Sequence, residues 1–346
     1  MILLNAGNLW THKYLDKVIE LNNLYGSNIR VNSLFGSIAK LTPTARSVDR
    51  LPYMEWGDID QFVSKARKNS IHIRYTLNAS CIGSLQDFRE VWDKKLKGDI
   101  KELHNIGVDE WVITSPLLMI QLRKMFPDDF LEVSTIAEIS TATDAARWKS
   151  LGANGANLST NINRNLSAIR QIVDTGIEVS ILANEACLYR CPFRRECYNL
   201  SSHNSKRTEE LFGFYPFRNC NEVRMKNISE WTKARMVLPQ WMSIYQKETG
   251  VSWFKVAYRT HPYEVAIPIL ELYMKQMHKG NYLDLWPTIS RLGNTVEPQN
   301  LQYISCEKLD KMGFFEWFIK GEVDCGINMC GTTCKHCEQA AAWAQR

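Results

Sequence analysis

Ten cysteines stand in this 346-residue chain, and eight of them fall into two groups of four. The first group is Cys187, Cys191, Cys197 and Cys220; the second is Cys325, Cys330, Cys334 and Cys337. Four thiolates are the donor set of tetrahedral zinc and of a cubane iron–sulfur cluster alike. In the first group the gaps are x3, x5 and x22. Zinc sites favour paired CxxC hooks, so this irregular spacing points to iron–sulfur. Ligands set so close together let one loop wrap a metal at small closure cost. Arg190, Arg194, Arg195 and Arg218 flank these thiols. Positive charge favours thiolate and offsets the charge of a four-thiolate site, and it also suits an anionic substrate. The second group, spaced x4, x3 and x2, is compact and iron–sulfur-like, with structural zinc as its alternative. His203 is a substitute for Cys197, and His336 and Cys306 are substitutes in the second group. Cys81 and Cys306 otherwise read as small buried hydrophobes.

Such residues need a scaffold. Eight short apolar runs recur: Ile2–Asn5, Ile29–Phe35, Ile71–Leu77, Trp111–Thr114, Leu131–Ile136, Ala156–Leu158, Val179–Leu182 and Trp253–Ala257. Helical patterns lie between most of them, among them Tyr14, Val18, Ile19 and Leu21 on one face. Another is Phe88, Val91, Trp92, Ile100 and Leu103. Gly152 and Gly176 follow two more, as C-caps do. Eight strand–helix repeats predict a parallel, closed (β/α)8 TIM-like barrel. An open doubly wound sheet is the runner-up, weakened because no GxGxxG follows the first strand. The rhythm breaks near residues 35–56 and 189–250 and is lost from about Asn281 onward. The expected organisation is a barrel over 1–280, a cysteine-bearing insertion over 187–250 after the seventh strand, and a C-terminal extension over 281–346.

A barrel carries its chemistry at the C-terminal ends of its strands. There the sequence places Asn5, Gly7, Asn8, Gly36, Ser37, Thr76, Asn78, Ser80, Ser115, Ser134, Thr135, Glu138, Ser159 and Asn161. Asn184-Glu185-Ala186-Cys187 ends the seventh strand, and Tyr258-Arg259-Thr260-His261 the eighth. Asn78 and Glu138 are candidate substrate contacts. Glu185 and His261 are candidate general acid/base groups. The bland reading of any one of them is a loop polar residue or a helix N-cap.

Composition sets the outer bounds. Apolar residues make up 45% and charged residues 23%, which excludes wholesale disorder. No apolar run approaches the ~18 residues of a membrane span. The N-terminus has no secretory pattern, so the expected compartment is the reducing cytoplasm, where a disulfide framework is not expected. A net charge of +5 permits an anionic partner without demanding one.

Several segments resemble the collagenase-like peptidase family U32. They are Glu132-Val133-Ser134-Thr135, the run Ala145-Ala146-Arg147-Trp148-Lys149-Ser150-Leu151-Gly152-Ala153, and Gly176-Ile177-Glu178-Val179 leading into the Cys187 motif. Phe254-Lys255-Val256-Ala257-Tyr258-Arg259 is similar to the family's Lys-Ile-Glu-Gly-Arg signature, and a helix containing Leu272-Tyr273 follows it. The likeness covers roughly residues 1–290. It implies a 4Fe–4S cluster on Cys187 and Cys191 and, more loosely, Cys197 and Cys220. It also implies roles for Lys255 and Arg259, here read as holding an anionic group. Several members of that family act as oxygen-independent hydroxylases in tRNA, rRNA or ubiquinone maturation, some with prephenate as oxygen source, and some work in pairs. Others are described as proteases. The chain departs from the family in its Glu185-Ala186-Cys187 strand end, in its cysteine spacing and in the extra tail group.

The leading expectation is therefore an iron–sulfur enzyme with one cluster or two, modifying an RNA base, a quinone precursor, a peptide or a small metabolite. A partner subunit or electron donor would complete it. The competing expectations are a nucleic-acid or protein-binding module with structural zinc and, last, a protease. Tyr215 and Phe217 beside Arg218 would serve the former as base-stacking residues. The protease finds no HExxH or GxSxG in the chain.

Overall fold

The structure is a computed structural model. It describes the chain apart from residues 42, 206–214, 260, 292, 293 and 346, with the backbone alone at 91, 94, 215–218, 290 and 291. Thr260 and the side chains of Tyr215, Phe217 and Arg218 thus lie outside the described residues.

Eight parallel strands close into a barrel in simple sequential order. They are β1 (Ile2–Gly7), β2 (Ile29–Gly36), β3 (His72–Leu77), β4 (Glu110–Ile113), β5 (Phe130–Val133), β6 (Gly155–Asn157), β7 (Glu178–Leu182) and β8 (Trp253–Val256). All eight apolar runs are strands. β8 closes the ring on β1, pairing Asn5 with Lys255. Helices fill the crossovers for the reason their periodicity gives. In His12–Tyr25 the buried face is Tyr14, Leu15, Val18 and Leu21. Gly152 and Gly176 do take the left-handed conformation just past their helices, with φ of 105° and 71°. The long pattern from Phe88 to Leu103 is one continuous helical run interrupted by a π-turn at Trp92–Leu96. Among the described residues no helix is long and apolar enough to cross a membrane.

The barrel interior differs from the layers of branched apolar side chains usual in this fold. Arg74 is buried near the bottom between the rings of Phe130 and Trp253, each 4.5 Å away. It pairs with Glu110 at 2.6 Å, Glu178 at 3.4 Å and Glu132 at 3.5 Å. One layer up, Lys255 lies 3.6 Å from Glu132, whose other oxygen accepts from Ser180 at 2.8 Å.

The insertion carries the helices Arg194–Asn204 and Tyr215–Lys226, and the extension ends in the helix His336–Ala344. Residues of the extension, including Leu309, Phe314, Phe315 and Ala340, share one continuous core with the barrel.

Candidate functional site

Helix Arg194–Asn204 lies across the C-terminal mouth of the barrel. Its Ser202 Oγ accepts from Ser80 N after β3 at 2.8 Å, and Ser205 Oγ, just past its end, accepts from Thr44 N after β2 at 3.2 Å. At its other end Arg194 Nε is 3.5 Å from Glu138, which follows β5. The insertion therefore ties the seventh crossover to the second, third and fifth, and it brings its cysteines over the mouth. Cys187 comes from the loop after β7, Cys197 from the first turn of this helix and Cys220 from helix Tyr215–Lys226.

The thiols of this group lie within electrostatic reach of one another in a chain: Cys191 and Cys220 oppose the ionisation of Cys197, and Cys220 does the same to Cys187. Burial is the larger cause in both: it pushes Cys197 up to about 12 and Cys187 well above the usual thiol range. Two buried arginines face these sulfurs. Arg224 Nη1 is 3.5 Å from Cys220 Sγ, and Arg194 lies within electrostatic reach of Cys187. Arg194 has no hydrogen-bonded guanidinium nitrogen and Arg224 leaves its Nε unpartnered among the described residues. The donor set is all sulfur and the surrounding charge is positive, which fits a thiolate-bound metal cluster. Arg190 and Arg195, flanking in sequence, are exposed instead. His203 sits in the last turn of its helix.

The second cysteine group is not remote. Cys325, Cys330, Cys334 and Cys337 line one cavity together with Tyr189, Arg235 and Lys233. Tyr189 belongs to the Cys187–Cys191 loop, and its hydroxyl donates to the Cys325 carbonyl at 2.8 Å. The two substitutes named for this group lie elsewhere. His336 is stacked between Phe314 and Trp317 with Nε2 3.0 Å from the Phe314 carbonyl oxygen, and Cys306 is packed in the core.

Around the mouth the polar residues divide by role. Ser115, Ser134 and Ser159 are N-caps. Asn184 pins β7 to β8, taking the Ala257 N–H and donating to its carbonyl. Asn78 Oδ1 accepts from Thr44 Oγ1 at 3.3 Å and Ala45 N at 3.2 Å, so it holds the loop that carries Arg46. Glu138, in a left-handed conformation with φ 55°, is the partner of Arg194. Glu185 lies within electrostatic reach of Cys187 and Arg194.

Arg259 is partly buried, donates to Thr76 Oγ1 at 2.5 Å and sits 5.8 Å above the ring of Phe35. It has no carboxylate partner among the described residues. Burial and the nearby Arg46 both work against its charged form. The same two causes lower His261, whose Nδ1 is 3.1 Å from Thr288 Oγ1. Lys255, read from the sequence as holding an anionic group, is in the middle layer, 3.6 Å from Glu132 and 4.3 Å from the Phe35 ring. Burial lowers it to about 8, with Arg74 and Arg259 adding repulsion that Glu132 only partly offsets. Glu132 is nonetheless held below the usual carboxylate range, because Arg74 compensates it as well. Sequence reasoning missed Arg46, Arg164, Arg224 and Arg235. They lie in loops and on helix faces where no local period marks an inward side chain.

Known proteins add to this geometry. Residues 46–209 match the model of peptidase family U32. That stretch holds Cys187, Cys191 and Cys197 but not Cys220, Lys255, Arg259 or the C-terminal group. The chain is 26% identical over 275 residues to a Methanocaldococcus jannaschii protein named uncharacterized protease MJ1657, covering 78% of this chain and 80% of the relative. Among solved structures, the U32 peptidase Mk0906 aligns with a TM-score of 0.47 and 19% identity over 62% of this chain and 81% of its own. A GH113 beta-1,4-mannanase aligns with a TM-score of 0.43 and 10% identity over 80% and 98%. The family match over residues 46–209 and the archaeal relative that extends beyond it make this chain similar to peptidase family U32.

Proposed function

We propose that this protein is an iron–sulfur enzyme of the U32 family that modifies an anionic substrate without molecular oxygen, with hydroxylation as the leading reaction, the hydroxyl group being exchanged for hydrogen with a hydroxylated organic co-substrate that is thereby reduced. The observation that carries this reading is the gathering of Cys187, Cys191, Cys197 and Cys220 over the barrel mouth, with Arg194 and Arg224 turned onto them. These four residues would hold a 4Fe–4S cluster. When bound through all four thiolates, the cluster would supply one-electron chemistry.

The chain's own residues supply the rest. Arg259, with Arg46 beside it, binds the anionic group, since a guanidinium fork without a carboxylate partner matches a carboxylate or phosphate. His261 stays neutral near pH 7. In the tautomer whose Nδ1–H donates to Thr288, its Nε2 is free to accept a proton. Glu185, within electrostatic reach of Cys187 and Arg194, is the second proton-moving group.

The test is iron, sulfide and zinc content of protein purified without oxygen, compared between the wild type and Cys187→Ser. Loss of about four irons and four sulfides in the variant supports the reading. Wild-type protein holding neither iron nor sulfide after anaerobic reconstitution overturns it. The name of the archaeal relative favours a second reading, a peptidase. Peptide hydrolysis retained by metal-free Cys187→Ser would establish that reading instead.

A further inference from the structure

The extension's four cysteines enclose a place where charge is missing. Arg164, after β6, and Arg235, before the helix Met242–Thr249, are 4% and 3% exposed. Both are directed at the second thiol group. Arg164 Nη1 is 3.4 Å from Cys337 Sγ, and Arg235 lines the cavity of Cys325, Cys330, Cys334 and Cys337. Neither has a carboxylate within ion-pair distance among the described residues. Nε and Nη2 of Arg164 and Nε of Arg235 have no hydrogen-bond partner. Their remaining contacts are aromatic rings and neutral oxygens: Arg164 lies over Phe314 at 4.8 Å and Phe318 at 5.1 Å, and Arg235 over Tyr189 at 3.3 Å and against the Asn161 carbonyl. The acid that does line the cavity, Glu338, is paired with Lys233 at 3.0 Å.

Two buried guanidinium ions facing four neutral thiols would leave two positive charges uncompensated in a low-dielectric site, at a cost of several kcal/mol per ion. Four thiolates on a metal centre carry a net charge of about −2, which matches the two arginines. We infer that Cys325, Cys330, Cys334 and Cys337 hold a second metal centre, a dianionic iron–sulfur cubane compensated by Arg164 and Arg235. A single zinc needs all four sulfurs at about 2.3 Å from one point. Here the four cysteines are spread around the lining of one cavity. A cubane has its irons at separate corners and accepts thiols that surround a larger volume. Tyr189 places this centre beside the proposed first one, since it lies midway between Cys187 and Cys191 and hydrogen-bonds to Cys325.

The experiment separates the two centres. Anaerobic, reconstituted wild type, Cys334→Ser and Cys187→Ser are analysed for iron, sulfide and zinc. About eight irons and eight sulfides in the wild type, falling to about four in each variant, is the expected result. Cys334→Ser indistinguishable from the wild type overturns the assignment. So does about one zinc lost from Cys334→Ser with iron unchanged, which makes the site a zinc clamp. Iron lost from Cys334→Ser but not from Cys187→Ser upholds this centre while sinking the proposed function. Should Cys334→Ser fail to fold, Arg164→Met gives an independent readout. Removing a buried cation makes reduction harder, so one of two potentials in an EPR-monitored titration should shift negative. Two potentials identical to the wild type's would overturn the role of Arg164.

Discussion

At the residue scale the mouth holds a partly buried cation, Arg259, without a carboxylate partner among the described residues. It is the residue that touches substrate in the proposed reading. Thr76 fixes one of its nitrogens and Phe35 supports the plane, so the group is oriented before any ligand arrives. A pre-oriented fork binds an anion with little further loss of side-chain freedom. Dicarboxylate or inorganic phosphate should therefore raise the melting temperature of the wild type in a concentration-dependent way. The ligand-free Arg259→Gln protein should melt at or above the wild type, because a charge without a carboxylate partner is gone, and it should show no such rise. An equal ligand-induced rise in both proteins would remove Arg259 from the anion site.

At the element scale, each strand delivers its inward side chains to a fixed layer. Glu110, Phe130, Glu178 and Trp253 are the first residues of their strands and surround Arg74; Glu132 and Lys255 are third residues and form the layer above. Glu132 is the hinge of this network, since both Arg74 and Lys255 depend on it. Glu132→Gln should cost about 3–5 kcal/mol in urea unfolding, whereas Lys255→Met should be near neutral, because Arg74 still compensates Glu132. The pH dependence has a sign. Lys255 falls to about 8 in the folded protein, below its unfolded value. The unfolded chain thus binds the extra proton between those two values, and this group makes stability rise with pH from about 8 toward about 10.4. Lys255→Met should lose that rise, and a wild-type stability that only falls across this range would contradict the assignment. The strands themselves were legible because runs such as Ile29–Phe35 and Val179–Leu182 are short, rich in apolar and β-branched residues and bounded by turn signals. The polar interior was not. Arg74, Glu132 and Lys255 each sit among apolar neighbours, and only barrel closure brings the three together. The serines at the strand ends looked alike in sequence, and the structure divides them into N-caps such as Ser115 and ties to the insertion such as Ser80.

At the scale of the whole molecule, the extension from about residue 281 is joined to the barrel by packing as continuous as the barrel's own. Trp241 stacks on Phe315 with centroids 4.8 Å apart, and its Nε1 donates to Asp310 at 2.8 Å. Tyr245, on the helix preceding β8, meets the same Phe315 at 5.0 Å. Thr232 donates to the Cys337 carbonyl at 2.9 Å, which ties the second thiol group to the insertion. A break in the strand–helix rhythm marks where the repeat ends, but it carries no information about whether the next segment packs as part of the same core. Because the contact is apolar and fully buried, the extension and the barrel should lose structure together. Metal-free protein with its cysteines held reduced should therefore unfold in urea in one transition, with tryptophan fluorescence and far-UV circular dichroism coincident. Phe315→Ala, which empties the space between Trp241 and Tyr245, should lower the stability of that single transition by about 3–5 kcal/mol. An early step confined to the extension, with the barrel transition of Phe315→Ala unmoved, would show instead that the barrel stands without it. The second thiol group would then rest on a separable appendage rather than on an element packed into the barrel's own core.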